Sequence, residues 1–78
     1  MSARFIELLG RSLPHLSRAE VLWRVHFLAG ALYYTMTNPG RIEHLSGGLC
    51  DARDVGAVLT QMVPFLAAGF RAPAAGVR

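Results

Sequence analysis

The sequence contains no lysine, and all eight of its basic residues are arginine. These arginines are spread almost singly along the chain, at positions 4, 11, 18, 24, 41, 53, 71 and 78. Proteins that bind nucleic acids concentrate their basic residues in a patch or along one helix. The formal charge of +3 is therefore a weak argument for such binding, and we do not expect this segment to contact DNA itself.

Cysteine occurs once, as Cys50, which excludes a disulfide bond within the chain and is typical of a reducing compartment. No lysine or histidine adjoins Cys50, so the sequence favours a buried small apolar side chain over a reactive thiol. The longest apolar stretch, residues 21–36, contains Arg24 and His26 and is shorter than the roughly 20 residues needed to cross a bilayer. The N-terminus carries Glu7 within its apolar stretch and is a poor signal peptide. We predict a cytoplasmic protein without a membrane partner.

Motifs for catalysis and metal binding are missing. The histidines (His15, His26 and His44) are isolated, and no H-x-x-x-H or C-x-x-C spacing occurs, so neither a metal site nor a cofactor is predicted. There is no phosphate-binding glycine loop and no G-x-S-x-G motif. Helix capping explains the pair Asp51 and Asp54. We therefore expect no enzymatic activity and no catalytic residues.

Apolar residues, by contrast, are abundant. Of the 78 residues, 53% are hydrophobic and 17% are charged, against about 45–50% and about 25% in typical globular domains. A chain this short buries only about 60% of the surface that its unfolded form exposes. We therefore expect a second polypeptide, most simply another copy of the chain, to cover part of the apolar surface.

Helical periodicity and capping signals predict an all-α fold with three main helices and one short helical turn. The first helix lies within residues 2–13 and ends before Pro14; no effective N-cap is evident for it. The second, Leu16 to Thr37, opens with a capping box formed by Ser17 and Glu20, flanked by Leu16 and Val21 as a hydrophobic staple.

A short turn of helix follows, with Asn38 as N-cap and Pro39 in the first position, and it ends at residues 46–48. The last helix is predicted over residues 51–71, with Asp51 as its N-cap. Pro64 interrupts this helix and is expected to bend it near Thr60.

The second helix is apolar nearly all round, which in a soluble protein requires protein on every side. Gly30 at its middle would let another helix approach closely. Tyr33 and Tyr34 point about 100° apart, so they cannot both face one interior, and we expect one of them to line a pocket or an interface. For His26, a half-buried, hydrogen-bonded side chain is favoured over a ligand contact.

Three stretches of the chain resemble the end of a TetR-family transcriptional regulator. They are L-W-R-V-H-F-L-A-G-A-L-Y-Y-T-M-T-N-P-G-R-I, L-S-G-G-L-C-D-A-R-D-V and V-P-F-L-A-A-G-F-R-A-P, and the resemblance covers residues 13–73. It implies an all-helical C-terminal domain of a homodimer that binds a small, often hydrophobic effector. It also implies that the two long helices form a four-helix bundle with those of a second subunit.

The resemblance gives two sets of candidate residues. The dimer interface candidates are Gly30, Tyr33, Tyr34, Leu59, Met62, Val63, Leu66 and Phe70. Trp23, His26 and Phe27 match the family motif and are candidates for packing the core or binding the effector.

We expect residues 1–73 to form the dimerisation and partial effector-binding segment, and residues 74–78 to be a disordered tail. The helix-turn-helix domain of such regulators has no counterpart in the sequence, so contact with DNA is expected only through a domain outside it. The alternative is a stand-alone helical interaction module that pairs with itself or with a related regulator.

Overall fold

The computed structural model describes residues 2–76, which form four α-helices and, within that range, no β-strand. The helices are α1 (Ala3–Ser12), α2 (Arg18–Thr37), α3 (Pro39–Leu45) and α4 (Val55–Arg71). α2 packs against both α1 and α4. The predicted all-α class, with three main helices and a short one, is confirmed. The four-helix bundle with a second subunit stays a prediction, since it involves another chain.

α1 begins with a side-chain cap that the sequence analysis did not predict. Ser2 lies in the extended region (φ −82°, ψ 153°), and its hydroxyl accepts a hydrogen bond from the Phe5 N–H at 3.2 Å. The expectation of an ineffective start was wrong, because serine in this conformation satisfies one of the free N–H groups of the first turn. An exposed salt bridge between Glu7 and Arg11 (2.9 Å) spans one turn of the helix.

α2 starts as the capping box predicts. The Ser17 hydroxyl accepts from the Glu20 N–H at 3.2 Å. Leu16 and Val21, the two sides of the predicted staple, are both buried. The Ser17 hydroxyl also donates to one oxygen of the Glu20 carboxylate at 3.4 Å. The other oxygen accepts a hydrogen bond from the segment that follows α4.

The connection from α2 to α4 is held by short-range polar contacts. Pro39 occupies the start of α3 as predicted, but the Asn38 side chain makes no cap and instead donates to the Tyr34 carbonyl at 3.3 Å. After α3, Gly47 and Gly48 take positive φ values of 64° and 90°, which glycine adopts without a steric penalty.

α4 begins three residues later than predicted. Its N-cap is Asp54, whose carboxylate accepts from the Ala57 N–H at 3.1 Å. Asp51 instead accepts from the backbone N–H and the side-chain Nε of Arg53, both at 2.9 Å. The side chain of Arg53 also reaches Glu43 at 2.7 Å. The hydrogen bonds from Arg53 lower the pKa of Asp51, and the two carboxylates raise that of Arg53.

Cys50 is exposed, so its predicted burial was wrong. It lies in the loop before α4, where its backbone N–H donates to the Ser46 hydroxyl at 2.9 Å. The loop positions this residue by its main chain, and no apolar contact is needed to hold its side chain.

The core is small and lies where α1 turns into α2. Its buried apolar residues are Leu13, Leu16, Val21 and Val25. Ile6 and Leu9 from α1 and Phe70 from α4 pack against this cluster and are half-buried. Many large apolar side chains elsewhere remain exposed.

The dimensions of the chain show how open this fold is. Its accessible surface is 5916 Å², whereas a compact monomer of 8.5 kDa exposes about 4,650 Å². Its radius of gyration is 14.7 Å, against about 11.5 Å for a compact domain of this length. The surplus of apolar residues seen in the composition is therefore displayed on the surface of the single chain.

Because the core is so small, Leu16→Ala should have a large effect. Leu16 is 8% exposed, and we expect its truncation to lower the free energy of unfolding by about 2–3 kcal/mol. The control is Leu49→Ala, since Leu49 is 87% exposed and its truncation should change that free energy by less than about 0.5 kcal/mol. Urea unfolding followed by circular dichroism, at one protein concentration, measures both. Equal effects of the two substitutions would contradict this location of the core.

Candidate functional site

Three aromatic rings cluster on the first half of α2, where Trp23 lies one helical turn before the adjacent His26 and Phe27. The rings of Trp23 and Phe27 are stacked, with centroids 5.9 Å apart and planes inclined by 28°. His26 meets Trp23 edge to face at 6.0 Å. Trp23 and Phe27 are 54% and 60% exposed, and His26 is also exposed. The prediction that His26 is half-buried was therefore wrong.

An open groove of about 520 Å³ lies beside the stacked rings. It is lined by Glu20, Trp23, Arg24, Phe27 and Ala75. His26 does not line this groove, so two of the three predicted effector-binding residues lie on it and the third stands beside it. The wall opposite α2 comes from the segment that follows α4.

The guanidinium group of Arg24 binds the end of α4, and all of its partners there are backbone carbonyl oxygens. Its Nη1 donates to the carbonyl oxygens of Gly69, Phe70 and Ala72 at 2.8, 3.1 and 2.8 Å, and its Nη2 donates to Pro73 at 2.9 Å. The last carbonyl groups of a helix have no partner within the helix, and their partial negative charge favours a cation. Arg24 therefore caps α4 and fixes the direction in which the chain leaves it.

Glu20 binds the same segment one turn earlier on α2. Glu20 is 6% exposed, and its carboxylate accepts a hydrogen bond from the Ala75 N–H at 2.7 Å. This hydrogen bond is the main cause that lowers the pKa of Glu20; burial acts against it, and Ser17 and Arg24 act with it. Glu20 is therefore ionised at neutral pH, and its charge is matched by the backbone donor and by Arg24.

His15 adds a third contact, with its Nε2 3.1 Å from the Ala72 carbonyl oxygen. Residues 72–75 have no regular secondary structure and are hereafter called the strap. The strap is thus attached to the first half of α2 by Glu20 and Arg24, and to the turn before α2 by His15. Residues 77 and 78 of the predicted tail lie outside the described residues.

A family model described as the tetracyclin repressor-like C-terminal domain matches residues 1–69 of the chain. The chain belongs to this family. The match includes α1, α2 and α3 in full and reaches the last turn of α4. No curated protein and no solved structure gives a match.

Membership of the tetracyclin repressor-like family identifies the chain as part of a regulatory protein. Among the described residues, no cluster of three or more His, Cys, Asp or Glu side chains is placed to hold a metal ion. The helices within residues 2–76 include none that is long and apolar enough to cross a membrane.

On α4, the interface residues predicted from the family form one helical row. Leu59, Val63, Leu66 and Phe70 follow a 4-3-4 spacing, which places them on one side of a helix, and Met62 lies next to them. Leu59 and Val63 are 50% and 59% exposed. Met62, Leu66 and Phe70 are half-buried. The first half of this row is therefore the more accessible to a partner.

On α2, Trp23, Phe27, Gly30 and Tyr34 follow the same 4-3-4 spacing. A Cβ atom added to Gly30 would meet nothing within 4 Å, so the surface is open at this point. Tyr34 is 54% exposed, and Tyr33, about 100° away around the helix, is 72% exposed. The predicted effector residues Trp23 and Phe27 thus share one row with the predicted interface residues Gly30 and Tyr34.

No local sequence pattern pointed to the roles of Arg24, His15 and the strap, and Glu20 was predicted only as part of a helix cap. A charged residue within an otherwise apolar helix was the available signal, because such a residue needs a polar partner when it is covered. The partner is backbone about 45–49 residues away, which no local sequence pattern identifies.

Removing the Arg24 side chain should loosen α4 from α2. We expect Arg24→Ala to lower the free energy of unfolding by about 1–2 kcal/mol, because carbonyl groups at the end of α4 lose a charged donor. Arg41→Ala is the matched control, since Arg41 is exposed on α3 and should contribute less than about 0.5 kcal/mol. Urea unfolding measures both, and indistinguishable midpoints would show that the contact is energetically neutral.

Proposed function

We propose that this chain is the dimerisation and partial effector-binding region of a TetR-like transcriptional regulator. The observation that carries the proposal is the coincidence of a family match over residues 1–69 with exposed apolar side chains on α2 and on the first half of the α4 row. In this proposal, α2 and α4 pack against the same helices of a second copy and complete a four-helix bundle.

The exposed area supports a second subunit in magnitude. The chain exposes 5916 Å², an excess of about 1,270 Å² over a compact monomer of its mass. A stable protein interface buries about 800 Å² on each partner. Covering the row on α4 and the second half of α2, from Gly30 to Tyr34, would therefore bring the chain closer to the surface expected of a compact protein and would leave Trp23 and Phe27 to the groove.

The chemistry of these rows favours another apolar helix as the partner. Leu59, Val63 and Tyr34 present large apolar or amphipathic side chains, and aromatic residues are enriched at interface cores. Gly30 provides an open position where a second backbone would approach closely. Neither row carries a charged side chain that burial would leave unpaired.

The groove beside Trp23 and Phe27 supports a role in effector binding. Its volume of about 520 Å³ falls within the roughly 300–1,000 Å³ usual for small-molecule sites. Stacked aromatic rings offer a flat apolar wall to a hydrophobic molecule. In this proposal the chain supplies part of the effector site, and contact with DNA belongs to a separate domain of the regulator.

Dimerisation is tested with Val63→Asp. A charge placed in the middle of the proposed interface would be buried without a partner, and we expect the dimer dissociation constant to rise at least about 100-fold. The matched control is Ala68→Asp, because Ala68 is exposed on a different side of α4. Sedimentation velocity over a range of concentrations measures both variants and the unmodified chain.

If the unmodified chain remains a folded monomer at micromolar concentration, the proposal that it dimerises is contradicted. Equal dissociation by both substitutions would contradict the assignment of the α4 row. Pairing with another regulator but not with itself would favour the stand-alone interaction module.

Effector binding is tested with a neutral apolar fluorophore, N-phenylnaphthylamine, whose binding is followed by energy transfer from Trp23. We expect Phe27→Ala to weaken its binding about 10-fold, since the apolar wall of the groove is lost. Phe65→Ala is the matched control, because Phe65 is 77% exposed on α4 and does not line the groove. Equal affinities for the two variants would remove the groove from the proposal.

A further inference from the structure

The strap has the properties of a movable wall. Pro73, Ala74 and Ala75 are exposed, and Ala72 is half-buried. The strap is attached through its backbone to Arg24 and Glu20 of α2 and to His15 in the turn before α2. The hydrogen bonds of His15 with Ala72 and of Arg24 with Pro73 are exposed, whereas those of Arg24 with Ala72 and of Glu20 with Ala75 are partly buried. A segment with few buried apolar contacts opens at a lower free-energy cost than the whole fold unfolds.

The backbone of the strap is suited to lying extended along α2. Ala72 has φ −57° and ψ 148°, a conformation in the polyproline region that is favoured for a residue preceding proline. The ring of Pro73 fixes the next φ angle. This local preorganisation restricts the first two residues of the strap, so that less conformational entropy is lost there when it docks.

The strap also borders the candidate effector groove. Ala75 lines the groove together with Trp23 and Phe27, and the N–H of the same residue donates to Glu20. This hydrogen bond holds Ala75 at the groove, while Arg24 and His15 hold the first two residues of the strap. Detachment at Glu20 would widen the groove and uncover the Trp23 ring, while α1, α2 and α4 keep their own packing.

We propose that residues 72–75 form a strap that docks on Arg24 and Glu20 and detaches from them while the helices stay folded, thereby controlling access to the groove beside Trp23 and Phe27. The part that concerns access by an effector rests on the function proposed above. The docking itself does not, because it is a property of the chain without any ligand.

The test is Ala75→Pro, which removes the N–H that Glu20 accepts. Trp23 is the one tryptophan in the sequence, so its collisional quenching by acrylamide reports on the groove directly. We expect the quenching constant to rise by up to about twofold, a ceiling set by the 54% exposure of Trp23 in the docked state. Circular dichroism should stay unchanged. Ala74→Pro is the matched control, which adds a proline to the strap and leaves the Ala75 N–H in place.

Limited digestion with trypsin gives an independent readout, because Arg71 immediately precedes the strap. Cleavage after Arg71, measured by mass spectrometry, should be faster in Ala75→Pro than in Ala74→Pro. Unchanged quenching and cleavage in Ala75→Pro, or the same changes in both variants, would overturn the proposal that the strap docks through Ala75 and detaches.

The fluorophore separates the two proposals. Faster binding of N-phenylnaphthylamine to Ala75→Pro than to Ala74→Pro would support control of access. A strap that responds as expected in a chain that binds no fluorophore would overturn the effector site and the control of access, and would leave strap docking supported.

Discussion

The arrangement of α2 against α4 depends on one guanidinium group. The buried apolar core has only four residues and lies near α1, and α4 adds to it through the half-buried Phe70. Arg24 adds orientation, because a planar fork of N–H donors binds several carbonyl groups only in a narrow range of orientations. That contact sets the direction in which the chain leaves α4, while Phe70 places α4 on the core and Glu20 holds the strap against the groove.

Sequence reasoning succeeded where the determinants are local. The Ser17–Glu20 box and its staple fixed the start of α2, because a cap involves atoms three residues apart. It failed where two local solutions were equally good: Asp51 and Asp54 both satisfy the rules for an N-cap, and Arg53 decides between them by engaging Asp51. Ser2 and Cys50 were misjudged for a related reason, since the outcome depends on backbone conformation that composition does not encode.

The candidate site was predictable in part. The resemblance to the family named Trp23 and Phe27 together, and residues four apart on a helix share a face. The opposite wall was not predictable, since Ala75 contributes a main-chain donor and alanine carries no chemical signal. The composition predicted that a single chain would leave apolar surface uncovered. It did not predict which residues stay exposed, because this depends on the direction of α4, to which Arg24 contributes.

Recognition of the strap through its main chain has an evolutionary consequence. Peptide groups are the same in nearly every residue, so substitutions in the strap would be tolerated provided that the donor at position 75 is kept and the chain stays extended. Substitution of Glu20 or Arg24, by contrast, would remove a side chain that binds the strap. Among relatives, the residues of the strap would therefore vary while Glu20 and Arg24 on α2 stayed constant. A sequence comparison would then reveal the α2 side of the contact and not the strap side.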